Sequence, residues 1–277
     1  MKNRFSFEPD IESQNLLLRA VKRNKLKDAQ KAIEEGFDVN HQDDRGASIL
    51  MWATYKTNLD FIKYLISKGA DYTLKGRIDV APAIYYGSIM GIAAGERKHE
   101  MLRYFIEELS IDVNDKENES GGFPGWTALQ YSIAVNDLIA VRYLLGKKAD
   151  PNPEYYRTSS LYDPIKNNNI EMFDLLIKHG SIIYDTPEKS SIYVASAHEN
   201  KYFLEIILMK GIDPNLRSVM KKFTPLMFAA SNNRINNCKV LIEYGAKKDL
   251  ESYTGQTALT MAKNAGNTKI VKFLESI

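Results

Sequence analysis

The chain has 277 residues, 44% of them apolar and 26% charged, and 37 basic against 35 acidic side chains leave a net charge of +2. That composition suits a folded chain of one or two domains; it argues against disorder and gives no electrostatic pull towards nucleic acid. The lone cysteine, Cys238, excludes an internal disulfide; residues 1–10 lack the apolar core of a secretory signal; and no run approaches the ~18 apolar residues of a membrane helix, so a cytoplasmic setting without membrane contact is expected.

Two short phrases recur along the chain, and they divide it into units. Residues 1–14 precede the first of them as an N-terminal extension. The first unit, 15–42, has a charged opening helix with Arg19, Lys22 and Arg23, and closes on Gly36-Phe37-Asp38-Val39-Asn40. The second, 43–75, opens on Ser48-Ile49-Leu50-Met51-Trp52-Ala53, continues through Leu59, Ile62, Leu65 and Ile66 at helical spacing, and closes on Gly69-Ala70-Asp71. An insert at 75–87 leads to the third unit, 85–115, with its small pair Ala93-Ala94 and its closing Ile111-Asp112-Val113-Asn114.

A second insert, 116–126, precedes the fourth unit, 124–153. That unit opens on Thr127-Ala128-Leu129, spaces Leu138, Val141, Leu144 and Leu145 as a helix, and closes on Ala149-Asp150-Pro151-Asn152. The fifth, 156–184, is the weakest match, and its Asp163-Pro164 should shorten or bend the first helix. The sixth, 187–216, closes on Gly211-Ile212-Asp213-Pro214-Asn215. The seventh, 221–249, opens on Thr224-Pro225-Leu226-Met227-Phe228-Ala229-Ala230, and the eighth, 254–277, on Thr257-Ala258-Leu259. From Ser48 to Asp71, Thr127 to Asp150 and Ser190 to Asp213 the offset is 23 each time.

Each phrase has a physical reading. Ser or Thr at the opening caps the first helix, and Pro225 suits the first helical position, where an N–H is not needed. Gly at the end of the second helix takes a left-handed cap, and Asp-x-Asn suits a tight turn. Small pairs such as Ala229-Ala230 let neighbouring helices approach closely. No unit of this size buries its apolar face alone, so stability must come from stacking.

These residues resemble the ankyrin repeat, whose usual phrase is Gly-x-Thr-Pro-Leu-His-x-Ala-Ala, then a helix, then Gly-Ala-Asp-x-Asn. The resemblance covers residues ~15 to 277, and Phe223 to Gly245 carries it best. The tetratricopeptide repeat has almost the same period but lacks the Gly-Ala-Asp turn and the Thr-Pro-Leu cap. The resemblance implies an all-α solenoid of about eight helix-turn-helix units with hairpin or loop fingers, forming one domain over 15–277. It also implies a non-enzymatic scaffold, expected to be monomeric, that holds another protein on its concave face and fingers.

Ankyrin arrays generally contact partners through finger tips and the exposed ends of first helices. Carried onto this sequence, that implies Tyr55, Tyr85, Tyr86, Phe123, Trp126, Tyr155, Tyr156, His198 and Phe223 as partner-binding residues. The two inserts are long, 17 positions from Asp71 to Ser88 and 15 from Asp112 to Thr127, against 10 from Asp38 to Ser48. Insertions of this kind collect on binding faces. Tyr and Trp at such tips offer stiff contact area with a polar handle. The alternative reading of the same rings is a local mini-core packed on the inserts. Two further readings of function stand beside the scaffold: an inhibitor or immunity-type protein that blocks a partner enzyme, and a nucleic-acid binder using Lys22, Arg23, Lys25, Lys27 and Lys56.

Catalytic chemistry has no foothold in the sequence. His41, His99, His179 and His198 lack companions at metal-ligand spacing, so no metal is expected. Cys238 sits at an inward helix position and reads as a small core residue. Gly121-Gly122 lacks the Lys-Ser/Thr of a phosphate loop, and no nucleophile elbow occurs, so no cofactor and no catalytic residue are assigned.

Overall fold

The computed structural model describes residues 11–80, 83–116, 125–152 and 159–277. The chain divides into two compact units, Met1–Asp150 and Pro151–Ile277. Among the described residues each unit holds four antiparallel helix pairs, eight in all, so the expected all-α repeat fold is the one observed.

In the first unit the pairs are α1 (Ile11–Lys22) with α2 (Leu26–Glu34), α3 (Ile49–Lys56) with α4 (Leu59–Ser67), α5 (Ile89–Gly95) with α6 (His99–Glu107), and α7 (Ala128–Ala134) with α8 (Leu138–Gly146). The first helices pack in a row, α1 on α3, α3 on α5 and α5 on α7. In the second unit they are α9 (Tyr162–Lys166) with α10 (Ile170–Lys178), α11 (Ile192–Ala197) with α12 (Tyr202–Met209), α13 (Pro225–Ser231) with α14 (Ile235–Glu243), and α15 (Ala258–Asn264) with α16 (Thr268–Ser276). Here α9, α11, α13 and α15 form the row. Helix α9 is only five residues long and carries Pro164, as the sequence anticipates.

The ends of the helices follow the local chemistry. Ser48, Thr127, Thr224 and Thr257 accept the amide N–H of Met51, Gln130, Met227 and Thr260. Asn58, Asp137 and Asn169 cap α4, α8 and α10 in the same way. Past the second helices, Gly36, Gly69, Gly180, Gly211 and Gly245 hold φ between +87° and +99°, where a Cβ would be strained.

Neighbouring repeats are also joined through polar side chains. The Asn of the Asp-x-Asn turn reaches forward to the next repeat. Asn40 accepts from the Asp71 amide at 2.7 Å and donates to the Gly69 carbonyl at 3.1 Å. Asn152 does the same with Ile182 and Gly180, and Asn215 with Lys247 and Gly245. Asn114 accepts from the Asp150 amide at 2.8 Å. On the other side of the repeat, the head of the second helix meets the carbonyl end of the preceding first helix. Lys98 Nζ donates to the carbonyls of Thr54, Tyr55 and Thr57, and Asn237 Nδ2 to those of Ala195, Ser196 and His198. A cation there faces the negative end of the helix dipole; burial pulls the Lys98 pKa down, and the nearby Glu96 carboxylate only partly opposes it.

The insert at 75–87 is an antiparallel hairpin of β1 (Gly76–Val80) and β2 (Ala83–Gly87), in register with Gly76 opposite Gly87 and Ile78 opposite Tyr85. Side chains alternate along a strand. Ile78 and Tyr85 therefore share one face, and both are buried.

Candidate partner-binding surface

In the first unit the aromatic residues of three consecutive repeats meet in a row. Trp52 and Tyr55 come from α3, Tyr85 from β2, Trp126 from the residue before the Thr127 cap, and Tyr131 from α7. Ring centroids are 6.4 Å apart for Trp52–Tyr55, 6.3 Å for Tyr55–Tyr85, 5.5 Å for Tyr85–Tyr131 and 5.0 Å for Trp126–Tyr131. Such tilted and edge-on pairs add to what burial alone gives.

The row is not evenly covered. Tyr85, at 3% exposure, lies at its centre with its hydroxyl donating to Glu96 Oε1 at 2.5 Å, while Trp52 and Tyr131 are buried beside it. Burial, followed by the Glu96 carboxylate, pushes the Tyr85 hydroxyl well above the ordinary tyrosine range. Tyr55 and Trp126 are half-exposed at either side. The expected anchor Tyr85 therefore has almost no surface left for a partner in this conformation, because strand alternation turns it inward. The mini-core reading describes Tyr85, and half-exposed rings resting on a rigid base describe Tyr55 and Trp126.

Cations border this row. Lys22 Nζ stands 4.0 Å over the Trp52 ring and 3.1 Å from Asp43 Oδ2, and Lys56 Nζ stands 4.6 Å over Tyr55. Burial alone would raise the Asp43 carboxyl. Hydrogen bonds from Trp52 Nε1, Lys22 and the amides of Arg45 and Ala47 outweigh it and hold the group below its ordinary pKa. Arg45 and Arg77 both pair with Asp79, tying the finger of the second repeat to the hairpin. Two of the five cations read as a nucleic-acid patch, Lys22 and Lys56, are thus engaged with rings or a carboxylate.

In the second unit Phe223 is half-buried, its ring 5.8 Å from Phe228, which in turn lies 5.4 Å from Tyr193. The finger that carries Phe223 is pinned by Ser218, whose amide donates to the Phe223 carbonyl and whose Oγ accepts from its amide, both at 2.9 Å. Its tip exposes Met220 (85%) and Val219 (48%), and Tyr253 of the next finger is 69% exposed. His198 closes α11, half-buried against Phe203, and burial lowers its pKa. Phe123, Tyr155, Tyr156 and the Tyr86 side chain lie outside what the structure describes.

Sequence reasoning did not single out Trp52 and Tyr131 as members of the row, nor Val219 and Met220 at the seventh-repeat finger. An apolar pair between Ser218 and Lys221-Lys222 in a turn was the available signal. Among the described residues, no three His, Cys, Asp or Glu side chains come together to hold a metal ion, and no helix is long and apolar enough to cross a membrane.

Stacked helix pairs with Thr caps, left-handed Gly ends and Asx turns between them define a helical repeat protein of the ankyrin type. The family described as Ankyrin repeats (3 copies) matches residues 3–77, 89–187 and 192–276, and the chain belongs to it. Ankyrin repeats generally mediate protein–protein interaction and are generally non-catalytic. Among its relatives, ankyrin repeat protein L371 of Acanthamoeba polyphaga mimivirus is 25% identical over 88% of this chain and 32% of its own length. Ankyrin repeat protein OPG189 of Monkeypox virus is 27% identical over 76% of this chain and 35% of its own length. Palmitoyltransferase ZDHHC13 of Danio rerio is 21% identical over 99% of this chain and 36% of its own length. The chain thus spans about a third of the length of these relatives.

Proposed function

We propose that this chain is a non-enzymatic scaffold whose first unit docks a partner protein on the aromatic row, with Tyr55 and Trp126 as contact residues. The observation that supports this reading is the row itself. Two half-exposed rings rest on three buried ones, so they present area whose conformational freedom is already spent. Stiff aromatic anchors of this kind carry a large share of interface energy. Phe223 and His198 of the second unit are further proposed contacts, and so are Tyr86 and Phe123 of the first unit and Tyr155 and Tyr156 of the second. A cytoplasmic monomer remains part of this proposal.

The test is capture from the native host with the wild-type chain and with Tyr55→Ala/Trp126→Ala, followed by titration of the captured protein. The expected outcome is a loss of affinity of at least tenfold in a variant that keeps its helical circular dichroism. Unchanged affinity, or unfolding of the variant with no separable effect on binding, would overturn the docking role of these rings.

A further inference from the structure

A cleft of about 560 Å³ opens in the first unit between α1, the finger of the second repeat and strand β1. Its volume falls within the ~300–1,000 Å³ of ligand sites. Trp52 lines it and is also the end of the aromatic row, with its ring 6.4 Å from Tyr55, so the cleft begins where the row stops. Arg19 and Lys22 enter it from α1; three positions apart, they lie on one face of that helix.

Hydrogen-bond capacity in the cleft is unbalanced. Asp43 accepts four bonds, from Lys22 Nζ at 3.1 Å, Trp52 Nε1 at 2.9 Å and the amides of Arg45 and Ala47 at 3.1 and 3.0 Å, which fills the roughly four acceptor positions of a carboxylate. Asp79 is held between Arg45 and Arg77. The cations are not used up in the same way. Lys22 and Arg45 each place one N–H on a carboxylate, where an ammonium has three and a guanidinium five. The Arg19 guanidinium has no partner among the described residues. Solvent reaches all three groups: the Lys22 and Arg45 side chains are 33% and 57% exposed, and Arg19 is exposed. Donors therefore outnumber acceptors, and Arg19, Lys22, Arg45 and Arg77 carry one charge more than Asp43, Asp44 and Asp79.

An occupant that brings oxygen acceptors and one negative charge corrects both imbalances. A carboxylate does so, since its two oxygens match the guanidinium fork of Arg19. A cationic group would meet four like charges and only Asp44 to pair with. A phosphate monoester carries nearly twice the charge of a carboxylate, and it would stand against Asp44, which is exposed, lines the same cleft and has no partner among the described residues.

We infer that this cleft is a specificity site for a single carboxylate, the side chain of a Glu or Asp presented by the partner docked on the neighbouring row, held by Arg19 with Lys22 and Arg45 beside it, and that Asp44 excludes a second negative charge. The inference rests on the scaffold reading for the source of that side chain, and on the cleft alone for its chemistry. Row and cleft belong to the same unit and share Trp52, so one partner reaches both.

The test titrates the full chain with the methylamide of acetylated glutamate, with the glutamine and phosphoserine counterparts as neutral and doubly charged probes. The chain has two tryptophans, so the Trp52 indole N–H reads the cleft by NMR and that of Trp126, outside it, serves as internal control. The expected result is a saturable Trp52 shift with the glutamate probe, no saturation with the glutamine probe and weaker binding of the phosphoserine probe. Arg19→Gln, at an exposed position, should weaken the glutamate probe at least fivefold, and Asp44→Asn should strengthen the phosphoserine probe more than the glutamate probe. No saturable shift at Trp52, an equal shift at Trp126, equal binding of the glutamine probe, tighter binding of the phosphoserine probe, or unchanged affinity in Arg19→Gln would each overturn the site. Partner docking is read separately. A chain that binds the glutamate probe but captures no partner refutes the scaffold and leaves the carboxylate site standing. A captured partner that binds wild type and Arg19→Gln equally well overturns the site as part of the docking surface and leaves the scaffold standing.

Discussion

The backbones of Gly46 and Gly76 press against each other where the finger of the second repeat meets the hairpin: a Cβ on Gly76 would fall inside the Gly46 carbonyl group. The Arg77 amide donates to the Arg45 carbonyl at 3.0 Å beside this contact, so neither backbone has freedom to retreat.

Gly76→Ala should therefore destabilise the first unit by about 3 kcal/mol or more, as forced overpacking against backbone does. Gly69→Ala is the matched control. Gly69 has a φ of +90° but open space around it, so only backbone strain of about 1–2 kcal/mol applies. Urea unfolding of the two variants measures the difference. Equal midpoints would mean that the close approach is not maintained in solution.

The Asn clamps predict a local effect. Asn215→Ala removes an acceptor from the Lys247 amide and a donor from the Gly245 carbonyl, at a cost of about 1 kcal/mol. Hydrogen exchange at Lys247 should accelerate while amides inside α10 keep their protection. Asn215→Asp retains the acceptor but not the donor, so Lys247 should stay protected with only a small loss of stability. Unaltered exchange in Asn215→Ala would show that the clamp does not couple the two repeats.

Asp43 predicts a pH dependence. Its folded pKa lies below the unfolded value of about 3.9. The stability it contributes is therefore fully present above that unfolded value and is lost as pH falls through the lower folded one. Asp43→Asn should reduce stability at pH 7 and flatten the acid limb of the stability profile below pH ~4. A variant whose acid limb matches the wild type would remove Asp43 from the account.

Much of this molecule is legible in its sequence because the repeat imposes the same local chemistry at several of its units. Ser48, Thr127, Thr224 and Thr257 cap, Gly36, Gly69, Gly180, Gly211 and Gly245 turn, and Pro164 shortens α9 where each was expected. The insert at 75–87 was legible as an insert but not as a hairpin. Its turn lacks the Asn-Gly or Asp-Gly signal, although Arg77, Ile78 and Asp79 do alternate exposed, buried and half-buried. That alternation also decides Tyr85, which a position count alone places at a tip. The cleft shared by Arg19, Lys22, Asp43 and Arg45 was beyond sequence reasoning, since it depends on atoms brought together by packing.

Cys238 supplies a probe of how the second unit opens. It is fully buried in α14, and burial pushes its thiol up to about 12, far from the thiolate form that attacks disulfide reagents. At pH 8 the folded chain should react with a disulfide reagent orders of magnitude more slowly than an exposed cysteine does. The rate should then report the fraction of time that α14 separates from its neighbours α12 and α16. Asn215→Ala, which weakens the bond between the sixth and seventh repeats, should raise that rate roughly fivefold for a loss of about 1 kcal/mol, whereas Gly76→Ala in the first unit should leave it unchanged if the units open independently. Labelling of the untreated chain at the rate of a free thiol would show that the core around Cys238 is not closed.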